Sequence, residues 1–146
     1  MVRALMLEMK DLTDAEPLRD WGWLVSPQMT PLMVSVFGDV LLGAPDGSLW
    51  LLSMLDGECE QIAANAAEYN RLKREPKWLD ERLLATWQLI AERNGLDPKA
   101  DECLGWKVHP LIGGQIEVEN LQVFSLQLYQ SLMGQLHRQL RPPAKG

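Results

Sequence analysis

A chain of 146 residues has room for one domain with a sizeable core, and 47% apolar with 23% charged residues is ordinary for a globular protein. A formal charge of -6 excludes a general nucleic-acid binder, which needs a basic footprint. The charge is lopsided: residues 1–70 hold eleven acids against three bases, and residues 71–146 hold nine acids against eleven bases, so the first half would steer a basic partner towards itself.

The first ten residues place apolar side chains at Leu5, Met6 and Met9 and predict a helical start. Glu8 and Lys10 interrupt any signal-peptide core, and no apolar run approaches the roughly 18 residues of a membrane span, so a cytoplasmic protein is expected. Pro17 suits the first turn of a short helix carrying Leu18, Trp21 and Leu24. "VSPQMTP" follows as a connector, with Pro27 and Pro31 blocking regular helix.

Between about residues 32 and 62 the pattern is β-structure. "LMVSVFG", "DVLLG", "SLWLLS" and "ECEQIA" predict three or four short antiparallel strands, with hairpin signals at Asp46-Gly47 and Asp56-Gly57. Asp39, Asp46, Asp56, Glu58 and Glu60 fall at the turns and strand ends, where residues face water, and predict an acidic end to the sheet. The period then changes. "AANAAEYNRLKRE" predicts a helix, Pro76 restarts another, and Leu79, Leu83, Trp87 and Ile90 fall on one face of it up to Asn94-Gly95. "ECLGWKVH" predicts a strand, and "QIEVENLQVF" a strand with a later bend. A last helix repeats Tyr129, Leu132, Met133, Leu136 and Leu140 before a frayed "RPPAKG" tail. Early strands and late helices give a single α+β domain over residues 1–146, an antiparallel sheet with helices packed on one face.

No pattern for catalysis or cofactor binding emerges. "HPLIGGQIEVEN" places Gly113 and Gly114 between an apolar run and acids. A phosphate loop would need a following helix and a lysine; here Gln115, Ile116 and Glu117 follow, and Glu117 and Glu119 would repel phosphate. The glycines therefore predict a turn with positive φ and close backbone approach. Two histidines, His109 and His137, and two cysteines, Cys59 and Cys103, lack the spacing of a metal site. No cofactor or metal is expected, and the cysteines fit thiols of a reducing compartment. Cys103 with His109 is the one nucleophile–base pair to weigh, and no serine has a nucleophile-elbow context. Six tryptophans serve a core by default, and any left on the acidic face would be binding hot spots. What remains is a binding protein.

The stretches "FGDVLLGAPDGSLWLLSMLDGECEQIA" and "DECLGWKVHPLIGGQIEVENLQVFSLQLYQSLMGQLHRQL" carry a resemblance. Gly38-Asp39, Asp46-Gly47, Cys103 to Trp106, Pro110 with Gly113-Gly114, Glu119-Asn120 and "GQLHRQL" resemble, in order and spacing, the C-terminal domain of type VI secretion immunity proteins over roughly residues 17–140. That domain often follows a GAD-like domain, and this chain looks like its stand-alone form. The resemblance implies a cytoplasmic, non-enzymatic antidote that binds a cognate antibacterial effector, often a DNase, and blocks its active site. A DNase must attract a polyanion, so its site is basic, and the acidic half of this chain suits it. Asp39, Asp46, Asp56, Glu58 and Glu60 are the expected partner-binding residues, with neither nucleic acid nor membrane contacted directly. The alternative is a small cytoplasmic adaptor or regulator with no toxin partner; an enzyme using Cys103 and His109 is the third.

Overall fold

A computed structural model describes residues 4–12 and 15–141. Its centre is a five-stranded antiparallel sheet in sequential order, built from β1 (Met6–Glu8), β2 (Thr30–Ser35), β3 (Val40–Gly43), β4 (Leu49–Leu52) and β5 (Cys59–Ala63). The three or four strands expected between about residues 32 and 62 are four, β2 to β5. The Asp46-Gly47 turn pins the β3–β4 register, with Leu42 opposite Trp50 and Leu41 opposite Leu51. The helical start is corrected: Met6–Glu8 pairs with Met33–Ser35 as an edge strand, because its apolar side chains meet the sheet there. Residues 1–3 lie outside the described set, as do 13, 14 and 142–146, which are all of the expected tail except Arg141. The segment after Pro17 is a run of turns rather than a helix, with Trp21 N–H bonded to Leu18 O and Leu24 N–H to Trp21 O. Pro31 lies within β2 at a register shift, where a proline's missing N–H is tolerated.

The α+β class and the antiparallel sheet hold, but the helices divide between both faces of the sheet. Alternate side chains reach opposite sides of each strand. Val34, Val40, Leu42, Leu52 and Met54 meet α4 (Leu126–Leu140) through Leu126, Tyr129 and Met133, with Trp21 buried among them. Leu41, Leu49, Leu51 and Ile62 point the other way and meet Tyr69 of α1 (Ala66–Leu72) and Leu83 of α2 (Pro76–Leu83). Removing each such leucine from water contributes roughly 1.5–3 kcal/mol, so the doubly covered strands β3 and β4 carry much of the core.

The helix expected from Pro76 to Asn94 is two helices, α2 and α3 (Ala85–Arg93). Leu84 takes left-handed backbone angles, φ 56° and ψ 40°, and breaks it. A non-glycine residue there costs about 1–2 kcal/mol; Asp80 Oδ1 offsets part by accepting the Thr86 N–H at 3.1 Å. The break sends Leu79 and Leu83 to the α1 side and Trp87 to a third cluster, edge-on to Trp106 at 5.5 Å. That cluster supports a two-stranded antiparallel sheet of β6 (Glu102–Trp106) and β7 (Leu121–Ser125). The strand expected over 115–124 is shorter than predicted: residues 118–120 form a 3-10 turn and pairing begins at Leu121. β6 is anchored to the turn that follows β2 through Leu104 N–H to Val36 O at 2.7 Å.

Candidate functional site: an acidic sheet end beside an apolar loop

Successive hairpin turns of a meander lie at opposite ends of the sheet. A four-residue strand spans about 13 Å, so Asp46, between β3 and β4, is a strand length from Asp56 and Glu58, between β4 and β5. The five expected partner-binding residues therefore do not form one cluster. Asp46 is exposed at the far end, where its carboxylate accepts the Ser48 N–H at 2.9 Å and hydroxyl at 2.5 Å, bonds that hold its pKa below the usual carboxylate value. Asp39 is at the same end as Asp56 but is buried, only 3% exposed. Its Oδ1 accepts the Met54 N–H at 2.8 Å. Burial raises its pKa to about 7, against the opposing effect of that bond and with a smaller push from Asp56. Asp39 thus holds two turns together from inside. Asp56, Glu58 and Glu60 are exposed and share a shallow recess with Glu81 and Arg82, where Arg82 Nη1 lies 3.1 Å from Glu60 Oε2.

Met54 is the hub of this end. Its N–H goes to Asp39, and its carbonyl faces two buried imidazoles, His137 Nε2 at 2.8 Å and His109 Nε2 at 3.2 Å. His109 Nδ1 accepts the Leu111 N–H at 3.1 Å, so the proton of the neutral ring sits on Nε2 and donates to Met54. Burial lowers the His109 pKa; the Met54 carbonyl opposes this and His137, edge-on at 5.1 Å, adds to it. Both ring nitrogens of His109 are thus committed to backbone groups, which leaves none to activate Cys103. Cys103 is buried and Cys59 half-buried, and neither is in a disulfide. Among the described residues no three His, Cys, Asp or Glu side chains gather as a metal would need.

His109 fixes the loop in which the paired glycines stand. Pro110–Ile112 form a 3-10 turn, Gly113 follows at φ 99°, and Gly114 N–H returns to His109 O at 3.1 Å. A Cβ on Gly114 would overlap the Val108 carbonyl, so the pair serves the turn and the close approach expected of it. Asn120 clasps the loop from the other side. Its Oδ1 accepts the Val108 N–H at 2.9 Å, and its Nδ2 donates to the Val108 and Gln115 carbonyls, both at 2.8 Å. The loop so held turns apolar side chains outwards: Leu111 is 53% exposed, Ile112 55% and Ile116 49%. Leu111 shares a recess of about 190 Å³ with Leu140, His137, Arg141, Asp56 and Glu58. Sequence reasoning missed these loop residues; the available signal was an apolar triplet, "PLI", beside glycines that bury nothing.

Among the described residues no helix is long and apolar enough to cross a membrane. The fold is similar to the crystal structure of Atu4351 from Agrobacterium tumefaciens, with a TM-score of 0.52 and 17% identity over 73% of this chain and 54% of that one. The chain thus spans about half the length of that neighbour, and at this identity the likeness is one of fold alone. No curated protein matches the chain. The model of the family described as "T6SS immunity protein Tdi1, C-terminal", where T6SS denotes type VI secretion, matches residues 63–137. The match runs from the end of β5 through both histidines, the glycine loop and Asn120, just over half of the chain, and the chain belongs to this family of immunity proteins.

Proposed function

We propose that this chain is a non-enzymatic, cytoplasmic immunity protein that binds a cognate type VI effector, a nuclease, and occludes its basic active site. The family match over residues 63–137 carries the proposal. The acidic recess of Asp56, Glu58, Glu60 and Glu81 supports the nuclease assignment, because an enzyme that holds a polyanion presents lysine and arginine at its site. Rim charges of this kind act mainly on association rate and its salt dependence. The commitment of both His109 nitrogens to backbone supports inhibition without chemistry.

The test is protection. A sensitive bacterium producing the type VI nuclease effector of the source bacterium is expected to survive when the chain is co-produced and to die without it. Equal killing with and without the chain, at matched and soluble expression, rules the proposal out.

A further inference from the structure

We infer that the loop from Val108 to Ile116 is the apolar centre of the effector interface: Leu111 and Ile112 enter a recess on the effector whose bordering lysines or arginines face Asp56 and Glu58. This inference rests on the proposed immunity function.

Three observations carry it. The first is exposure: within nine residues, Val108, Leu111, Ile112 and Ile116 are all about half exposed. Exposed apolar side chains that cluster, rather than scatter, mark a contact surface. The second is rigidity. The loop is held by His109 against Met54, by three bonds from Asn120, and by its own turn bonds to the carbonyls of His109 and Pro110. A loop ordered before binding leaves little ordering entropy to lose on contact. The third is charge. Asp56 and Glu58 line the same recess as Leu111, and Glu117 and Glu119 follow the loop as exposed acids. An apolar centre with a polar, charged rim is the usual anatomy of a protein interface, and its central anchors dominate the affinity.

The charge also selects the occupant. A second copy docked by two-fold symmetry would bring the same patch against itself, so the acids Asp56, Glu58, Glu117 and Glu119 of both copies would crowd one interface with Arg141 of the recess to offset them. An anionic membrane surface would repel the same acids. A partner with basic residues around an apolar recess is favoured on both counts, and an effector that binds a polyanion has such residues.

The experiment measures binding of the full chain to the catalytically inactivated type VI nuclease effector of the source bacterium. Leu111→Glu and Ile112→Glu are compared with wild type and with Leu128→Glu, which alters an equally exposed leucine near the start of α4. Leu111→Ser serves as a milder second variant, and thermal unfolding checks that each protein is folded. We expect each charged loop variant to bind about 100-fold more weakly or worse, Leu111→Ser to be intermediate, and Leu128→Glu to stay within about threefold of wild type. If wild type binds and the loop variants bind within threefold of it, the loop assignment is wrong while the immunity function stands. Wild type failing to bind at all overturns that function and this inference together. If wild type is a dimer in light scattering and Leu111→Glu is a monomer, the loop covers a second copy and the effector assignment is overturned.

Discussion

Asp39→Asn tests whether the carboxylate buried beneath the acidic end is a burden on the fold. Burial raises its folded pKa from 3.8 to about 7, despite the Met54 N–H that favours the charged form. A group whose pKa is raised on folding contributes most to stability while protonated, below pH 4, and that contribution is lost as pH rises towards 7. The rise from 3.8 to about 7 corresponds to roughly 4 kcal/mol, taken as an upper bound for a buried carboxyl. The amide that replaces the carboxyl can still accept the Met54 N–H and carries no charge at any pH, so the variant resembles the protonated wild type. Urea unfolding of both proteins, followed by tryptophan fluorescence between pH 4 and pH 8.5, isolates the effect. The stability of the variant minus that of wild type is expected to be smallest at pH 4 and already rising there, because the unfolded carboxyl ionises around 3.8 while the folded one keeps its proton. It should climb by up to about 1.4 kcal/mol per pH unit and level off above pH 7. His109 titrates in the opposite sense: its pKa is lowered from 6.5 on folding, so its contribution is full above pH 6.5 and fades as pH falls through the folded value. It is present in both proteins and largely cancels in the difference. A difference that stays constant across the range refutes the reasoning that desolvation dominates at Asp39.

Other substitutions probe the packing. Gly105→Ala places a Cβ against the Tyr129 ring and 2.9 Å from Phe124, so it should destabilise by about 1–3 kcal/mol in the same urea assay. Asn120→Ala removes all three side-chain bonds that hold the glycine loop and should cost about 2–3 kcal/mol. Hydrogen exchange should then rise most over residues 108–116; uniform change along the chain would place the role of Asn120 elsewhere. Arg82→Ala breaks the exposed pair with Glu60 and should change stability by less than about 1 kcal/mol, as a thermal melt can show.

The strands from residue 30 to 63 are legible because β-branched and apolar runs alternate there with Asp-Gly turns, both local signals. The division of helices between two faces is less so, although its trace stands in "VLL" and "LWLL". Strands covered on one side alternate apolar with polar, whereas these runs are unbroken because Leu41 and Leu51 are buried on one side and Leu42 and Leu52 on the other. The helix break at Leu84 carries no glycine or proline to announce it; the tertiary demand that Leu83 and Trp87 serve different clusters sets it. The acidic residues show the limit of arguing from turns alone. Asp39 stands beside a turn glycine like the others, yet its neighbour across space, Met54, draws it inside. Asp46 and Asp56 look equivalent in sequence, but the meander sends them to opposite ends. The loop of Leu111 and Ile112 shows in sequence as an apolar run before a glycine turn, and its clasp by His109 and Asn120, which joins residues distant in sequence, is what turns it outwards.

The most direct test of the central claim is a titration of the purified effector's nuclease activity with this chain. Stoichiometric occlusion predicts that activity falls linearly and reaches zero at one equivalent, with no change in the effector's mass. Full activity at a several-fold excess of the chain contradicts immunity by binding, and complete loss at a small fraction of one equivalent contradicts a non-enzymatic inhibitor.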